Sequence, residues 1–473
     1  MVFSSIVFLF IFLPIVLILN YVLPGIKLKN LALLIASLFF YAWGENELVL
    51  LMIASSLINY AFGLGINKNG RRKTLILGIG IGINLLFLVY LKYFNFIIDS
   101  VNYVTPQGLE IVEGNVHLPI GISFFTFQSI SYLVDVYRRD AVLQRNPLNL
   151  ALYISLFPQL IAGPIVRYQT IALELTNRKV TLENFSLGIK RFVIGLGKKV
   201  LIANVMGSLA DQIMVIPAEN LNTSAVWLGI IAYALQIYFD FSGYSDMAIG
   251  LGKMLGFNFL ENFNLPYISK SIKEFWRRWH ISLSTWFRDY LYIPLGGNRK
   301  GKIRTYVNLI IVFFLTGLWH GASWSFVFWG IYHGIFIIIE KLGFDKILNR
   351  SKVFSHFYTI IVVLVGWVFF RIEKIDDAFK YVVRMFSFTS SRQYFYASDI
   401  INNEHIIILV VGVLFSISIL QNFRNKIKLF INKNNILINI TRYLEILVLL
   451  VIMFLSVISL AANTYNPFIY FRF

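Results

Sequence analysis

His280 and His320 are the side chains of this sequence best suited to acid–base chemistry. Each directly follows a tryptophan, Trp279 or Trp319, and both lie in the middle of an otherwise apolar chain. A neutral imidazole, whose ordinary pKa is about 6.5, can accept a proton from a hydroxyl group. Considered alone, His320 fits a hydrogen-bonded structural histidine in a helix bundle as well as it fits a general base.

The residues around His280 suggest an anionic ligand. Arg277 and Arg278 precede it, and Arg299 follows in a glycine-rich cationic loop, 296–302. Arginine forks bind phosphate groups well, so these side chains could contact a phosphorylated cytoplasmic ligand. They could equally contact anionic lipid headgroups, and the sequence leaves this alternative open.

The other candidate residues argue against metal and thiol chemistry. The chain has no cysteine, which excludes disulfides, thiolate metal ligands and a cysteine nucleophile. The histidines lack zinc-site spacing, and neither a Walker loop nor a Gly-x-Ser-x-Gly elbow is present. His333 is expected to pack in its span. Three histidines are expected to be solvated near membrane boundaries: His117, His356 and His405. We therefore expect no metal site.

The composition predicts a polytopic helical membrane protein. Of the 473 residues, 58% are hydrophobic and only 14% are charged, whereas soluble domains carry about a quarter charged residues. Many windows approach twenty apolar residues, enough to span a hydrocarbon core of about 30 Å. The net charge of +18 is explained by cytoplasmic loops that collect Lys and Arg, so a nucleic-acid partner is not expected.

The apolar windows predict about twelve membrane spans. Their approximate limits are 2–24, 30–43, 48–66, 74–95, 118–137, 200–217, 224–250, 305–321, 324–340, 354–371, 405–421 and 441–462. The first is expected to be a retained span, because it lacks the basic start and the cleavage site of a signal peptide. The alternation of basic loops with other loops predicts that both termini lie outside, with Lys198 and Lys199 on a cytoplasmic surface.

Three further segments are not expected to cross the membrane fully. Segment 148–166 contains Pro158, Gly163 and Pro164, which interrupt helical hydrogen bonding and predict a re-entrant segment. Segments 264–284 and 375–388 are expected to form short amphipathic helices.

Polar residues inside two predicted spans indicate an internal cavity or channel. Asp240 and Asp246 lie in the span 224–250, and Gln128 lies in the span 118–137. Polar groups at membrane depth are costly and usually face a bundle interior. Placement of some of them at the membrane interface remains an alternative.

Four segments of the chain resemble the membrane-bound O-acyltransferase (MBOAT) family, in its bacterial branch that acylates alginate and peptidoglycan. They are FWRRWHISLSTWFRDYLYIPLGGNR at 275–299, GLWHGA at 317–322, DFSGYSD at 240–246 and FPQLIAGPI at 157–165. The resemblance covers nearly the whole chain. It implies one all-α transmembrane domain, 1–473, with core motifs at 118–340, a tail at 463–473, and a ring of about 11–12 spanning helices around a central channel.

The resemblance also implies roles for individual residues. His320 matches the family's catalytic histidine, and His280 matches a second histidine that supports the site from the cytoplasmic side. The residues implied to line the donor path or channel are Trp319, Trp276, Arg277, Arg278, Ser282, Asp289, Arg299, Asp240, Asp246 and Gln128.

The implied activity is transfer of an acyl group, expected to be acetyl from acetyl-CoA, from the cytoplasm to an envelope polysaccharide. No tightly bound cofactor is expected. The implied setting is the bacterial plasma membrane, with its lipids, and a soluble external acetyltransferase partner with an SGNH esterase-like site. A transporter or flippase for an acyl carrier or lipid-linked sugar, without acyl-transfer chemistry, is the alternative.

The C-terminal tail is the last candidate site. Its final six residues carry five large apolar or aromatic side chains, and Tyr470 supplies their one hydroxyl. An exposed terminus does not need such residues, so the tail is expected to pack back into a groove. The ending also resembles a Phe-x-Tyr-Phe-x-Phe acyl-carrier motif of the same branch, which implies that Tyr470 accepts the acyl group. A purely interfacial aromatic anchor is the alternative.

Overall fold

The computed structural model describes residues 1–68, 70–106, 109, 111, 116–161, 163–388, 393–418, 435–462, 465–467 and 469. Within these ranges the regular structure is helical, apart from one isolated bridge between Leu221 and Phe395, and the all-α prediction is confirmed. The main helices are α1 (Phe8–Val22), α2 (Gly25–Glu45), α3 (Val49–Lys68), α4 (Lys73–Asn102), α5 (Ile122–Arg138), α6 (Pro147–Ser155), α7 (Leu182–Met214), α8 (Thr223–Leu255), α9 (Ile272–Arg278), α10 (Ile281–Phe287), α11 (Lys302–His320), α12 (Trp324–Leu348), α13 (Lys352–Arg371), α14 (Ile375–Met385), α15 (Asn403–Ser416) and α16 (Asn435–Ala462).

The helices have the lengths and composition of a multi-pass membrane protein. Eight described segments are long and apolar enough to cross a bilayer, and the 44-residue segment Gly25–Lys68 among them holds both α2 and α3. The shorter apolar helices α1 and α15, and the less apolar α5, account for the other predicted spans. Each predicted span therefore corresponds to one helix.

The chain packs as two compact units, residues 1–192 with 247–260, and residues 193–246 with 261–473. In the first unit, phenylalanine rings from the N-terminal segment, α1 and α2 cluster around Phe157, with Phe8, Phe12 and Phe40 at 5.3–6.3 Å from its ring. The helices α3 and α4 are joined by reciprocal amide hydrogen bonds between Asn59 and Asn84, of 3.1 and 2.8 Å. Such pairs satisfy polar groups that would be costly in lipid.

The segment predicted to be re-entrant is a broken helix. The helix α6 ends at Ser155, Leu156 has a non-helical ψ of 110°, and a single turn, Phe157–Leu160, follows with Pro158 near its start. The Phe157 N–H donates to Ser37 Oγ at 3.2 Å, which satisfies a backbone group freed by the break. The described residues of this segment are almost all buried, so protein covers the irregular backbone.

The second unit contains the two histidine motifs. The helices α11 and α12 form a hairpin, and α9 and α10 are the short helices predicted for 264–284. The other predicted amphipathic helix, α14, buries Ala378, Tyr381 and Met385, whereas Asp377 and Lys380 are exposed.

Candidate active site

His320 is fixed by a tight turn at the end of α11. The helix ends at His320, Gly321 follows in an extended conformation, and the Ser323 hydroxyl caps α12 by accepting from the Phe326 N–H at 3.4 Å. A methyl group on Gly317 would collide with the Phe326 carbonyl oxygen, because α11 and α12 approach so closely there. The glycines of the motif thus serve the packing that holds His320 in place.

Aromatic rings enclose the His320 imidazole. Its ring centroid lies 4.9 Å from that of Trp319, 5.1 Å from Trp329 and 5.1 Å from Phe370, in edge-to-face arrangements. The residue is 3% exposed. Packing of this kind restricts the ring to one orientation, which is what a positioned acid–base group requires.

His280 lies at the break between α9 and α10 and has an unusual backbone. Its φ of +43° places it in the left-handed region, which costs a residue with a Cβ about 1–2 kcal/mol. Asn262 holds this conformation: its carbonyl accepts from the Ile281 N–H at 2.9 Å, and its side chain accepts from the Ser282 N–H and hydroxyl at 3.1 and 2.9 Å. Strained conformations of this type are often retained at functional sites.

The two histidines are brought together within the second unit. Their ring centroids are 6.4 Å apart, and Trp319 packs against both rings. His280 is 3% exposed, and this burial lowers its pKa from the ordinary 6.5 to about 3. His280 is therefore neutral at physiological pH and can orient a partner by hydrogen bonding without adding charge.

A cavity of about 980 Å³ is lined by residues that lie close to each histidine in the sequence. Thr316, four residues before His320, and Trp276, four residues before His280, both line it. Its charged lining residues are Lys270, Lys273, Arg277, Arg288 and Lys341, with Glu274, Glu340 and Asp345. Cations therefore outnumber acids, and the Glu340 carboxylate already accepts from the Ile272 and Lys273 N–H groups at the start of α9, at 2.6 and 3.0 Å.

The predicted arginines have different surroundings. Arg277 lines the cavity, whereas the Arg278 guanidinium contacts Glu274 at 2.9 Å and the Asn264 carbonyl at 3.1 Å. Arg299 is exposed in its loop. Asp289 binds Arg288 at 2.6 Å, and this hydrogen bond raises the pKa of the guanidinium.

Of the remaining predicted residues, Trp276 and Gln128 are buried and Asp246 is partly buried. Trp276 packs on Trp329 and on His333, whose ring is 5.3 Å away, so His333 is part of the aromatic packing. Asp246 pairs with Lys198 at 2.6 Å. Gln128 lies on α5 in the first unit and is fully buried.

Asp240 pairs with Lys199, whose location was predicted incorrectly from the sequence. Lys199 was expected on a cytoplasmic surface, but it is 3% exposed and its Nζ lies 2.8 Å from Asp240 Oδ1. The expectation was wrong for a physical reason: the counter-charge that permits burial of Lys199 lies on the next helix and is invisible in a local window.

The described part of the C-terminal tail, 465–467 and 469, packs into the second unit, as predicted. The Tyr465 hydroxyl donates to Asp211 Oδ2 at 2.7 Å, and Ile469 is 5% exposed. Pro467 and Ile469 line a small groove with Phe326 and Phe370. Tyr470 lies outside the described residues.

Sequence reasoning missed the residues that hold these parts in place. Asn262, Lys199, Asp211 and Phe370 belong to no motif, and their roles depend on partners distant in the chain. The only indication in the sequence was that charged residues lie in apolar segments, where their burial costs free energy.

A buried histidine pair beside a cationic cavity, in a multi-pass helical protein, is typical of the active site of a membrane enzyme. Comparison with known proteins makes the class specific. The profile of the membrane-bound O-acyltransferase family matches residues 139–374. The chain belongs to this family and is an O-acyltransferase, which favours the enzyme over the transporter alternative.

Similar proteins extend along the whole chain. A probable alginate O-acetylase of Pseudomonas putida is 44% identical over 490 residues, with all of both chains covered. A probable alginate O-acetylase of Pseudomonas syringae pv. tomato is 50% identical over 82% of this chain and 76% of its own. The peptidoglycan O-acetyltransferase of Helicobacter pylori is 36% identical over 80% of this chain and 79% of its own.

Proposed function

We propose that this O-acyltransferase moves an acetyl group from acetyl-CoA in the cytoplasm to a polysaccharide outside the plasma membrane of a bacterium. His320 is the general base, His280 orients the donor, and Tyr470 carries the acetyl group between the two sides. Both termini are then extracytoplasmic. The alginate and peptidoglycan acetylation named for the relatives supports an envelope polysaccharide as acceptor.

The observation that carries the proposal is that two neighbours of His320 line a cavity and a groove. Thr316, one turn before His320 on α11, lines the cationic cavity. Phe370, whose ring centroid lies 5.1 Å from that of His320, lines the groove that holds Ile469, the residue before Tyr470. A base between a donor site and an acceptor tail is the arrangement that acyl transfer needs.

The cavity has the chemistry of a thioester donor site. Its volume of about 980 Å³ lies at the upper end of the range for small-molecule sites, about 300–1,000 Å³. Arg277 and the neighbouring lysines suit the phosphate groups of CoA. Apolar side chains from α11, such as Val312 and Phe313, also line the cavity and suit the thioester arm.

The transfer has two steps. His320 takes the proton of the Tyr470 hydroxyl, the phenolate oxygen bonds to the thioester carbonyl carbon, and the carbon–sulfur bond breaks. The proton then passes from His320 to the leaving thiolate, which gives an acetyl-tyrosine ester and free CoA. A sugar hydroxyl later takes the acetyl group and restores the phenol, at an external SGNH-type partner.

Labelled acetyl-CoA tests the proposed function. Purified protein in lipid vesicles should transfer label to the protein as an ester, and mass spectrometry should assign that ester to the C-terminal tail. A transporter would instead move the label across the membrane without attaching it to the protein. Recovery of all the label as intact acetyl-CoA would contradict the proposal.

Charge reversal at Arg277 tests the donor site. Because hydrogen bonds to charged groups contribute about 1.5–3 kcal/mol, Arg277→Glu should raise the apparent KM for acetyl-CoA by about tenfold or more. Arg277 is preferred to Arg278, whose reversal would also break the contact with Glu274.

The control for Arg277→Glu is Arg72→Glu, which reverses an exposed arginine of the first unit. It should leave the apparent KM unchanged. An unaltered KM in Arg277→Glu, at equal protein level, would restrict Arg277 to contacts with lipid headgroups.

A further inference from the structure

A buried ion pair holds the backbone of the C-terminal tail. Lys199 Nζ and Asp240 Oδ1 are 2.8 Å apart, and their side chains are 4% and 2% exposed. The Lys199 ammonium also donates to the Pro467 carbonyl, and the other Asp240 oxygen, Oδ2, accepts from the Ile469 N–H at 3.1 Å. The pair thus presents a donor and an acceptor to matching groups two residues apart in the tail.

These contacts recognise position along the tail. Proline has no N–H, so the carbonyl is the one backbone polar group that Pro467 can offer. Because Lys199 donates to residue 467 and Asp240 accepts from residue 469, the two bonds fix the register of the tail. A slip of one residue would offer the ion pair different backbone groups and would replace the Ile469 side chain in the groove by a neighbouring one.

Stability alone is a weak explanation for such a pair. Burial of two charges costs free energy that their attraction often fails to recover, and apolar residues of similar size can replace such pairs without loss. Hydrogen bonds with a charged partner are strong and directional. A function in directional binding of the tail fits the geometry better.

A further hydrogen bond supports a fixed tail. Asp211 accepts from the Tyr465 hydroxyl at 2.7 Å and also pairs with Arg371 at 2.5 Å. The groove also contains Gln236, which is 5% exposed and whose Oε1 has no hydrogen-bond partner among the described residues. This oxygen can accept from a hydroxyl held in the groove.

We infer that the Lys199–Asp240 pair is a register clamp that sets Tyr470 at the position of acyl transfer. Lys199 and Asp240 are positioning residues, because they act on the tail and not on the reacting atoms. Tyr470 is the next residue in the sequence after the clamped Ile469. This inference rests on the proposed role of Tyr470 as carrier, and its tests distinguish the two ideas.

The first test removes the tail's N–H group. Ile469→Pro deletes the donor to Asp240 while every helix keeps its sequence, and Ile469→Val is the matched control with the N–H retained. Acetyl transfer should fall by about tenfold or more in Ile469→Pro. The fall should be much smaller in Ile469→Val, which keeps the N–H group, and the KM for acetyl-CoA should be the same in both variants. Native transfer by Ile469→Pro would overturn the inference that the pair sets the position of Tyr470, because transfer would then not depend on the bond between Ile469 and Asp240.

The second test measures tail binding without activity. The chain has no cysteine, so Ile469→Cys introduces a single buried thiol that should resist a maleimide reagent. Combination with Lys199→Met and Asp240→Leu replaces the pair by apolar residues, a change that such folds tolerate, and should make the thiol reactive. Ala378→Cys, buried in α14, should stay protected in the same background and report an intact fold.

The labelling result separates the two hypotheses. If Tyr470 is not the carrier, acetyl transfer does not depend on the tail. Removal of the ion pair should then still make the thiol at position 469 reactive. If the thiol at 469 stays protected without the pair, the clamp is wrong whatever the role of Tyr470.

Discussion

His320→Ala is expected to lower the rate of acetyl transfer by about 10²- to 10⁴-fold, the usual contribution of a positioned general base. The imidazole is enclosed by Trp319, Trp329 and Phe370, so no other described side chain can take its orientation without repacking these rings. Transfer from labelled acetyl-CoA in vesicles measures the effect. The loss should appear in kcat with little change in KM for the donor, because the base acts in the chemical step.

The matched control is His333→Gln, which removes another buried, ring-enclosed histidine of the same unit. It should lower thermal stability more than the rate. Equal rate losses in the two variants would mean that His320 also has only a packing role, and native transfer by His320→Ala would exclude it as the base.

The fold was largely predictable from the sequence because a bilayer imposes simple rules on length. Windows of about twenty apolar residues located the helices of the predicted spans, and the prolines in 148–166 indicated that this segment is not one continuous helix. The two histidine motifs were also recognisable. Their proximity was not, because it depends on the left-handed turn at His280 and on Asn262, neither of which has a local pattern.

Asp240 illustrates what a local window misses. The cost of a carboxylate at membrane depth correctly indicated a special environment. The structure joins that carboxylate to Lys199 and to the Ile469 N–H, from elements far apart in the chain. A window around Asp240 contains neither partner, and a window around Lys199 resembles a loop boundary. Sequence therefore identified the costly residue but not the group that makes its burial possible.

The prediction that the tail packs into the protein was more successful, because it depended only on the composition of the tail. A terminal segment rich in apolar side chains has to be covered, and Ile469 is indeed buried in the second unit. What composition could not supply was the mode of attachment, which uses the backbone of Pro467 and Ile469 and the hydroxyl of Tyr465.

Tyr470→Phe is expected to abolish acetylation of the polysaccharide. The substitution keeps the aromatic ring, so an interfacial anchor would be unaffected, and it removes the one hydroxyl of the last six residues. A phenol with a pKa near 10 can be deprotonated by a neighbouring imidazole, and its ester is reactive enough to pass the acetyl group to a sugar hydroxyl. Acetate released from the polymer by base, measured against total sugar, gives the readout.

The control for Tyr470→Phe is Tyr465→Phe, which removes the other phenol of the tail and its hydrogen bond to Asp211. A hydrogen bond to a charged group contributes about 1.5–3 kcal/mol, so Tyr465→Phe should weaken binding of the tail but still allow acetylation of the polysaccharide. Tyr470→Phe should have no such partial effect, because the acetyl-tyrosine ester cannot form without the Tyr470 phenol oxygen. Normal acetylation by Tyr470→Phe would therefore reduce the tail to an anchor, and the acetyl group would have to pass directly from donor to final acceptor at His320.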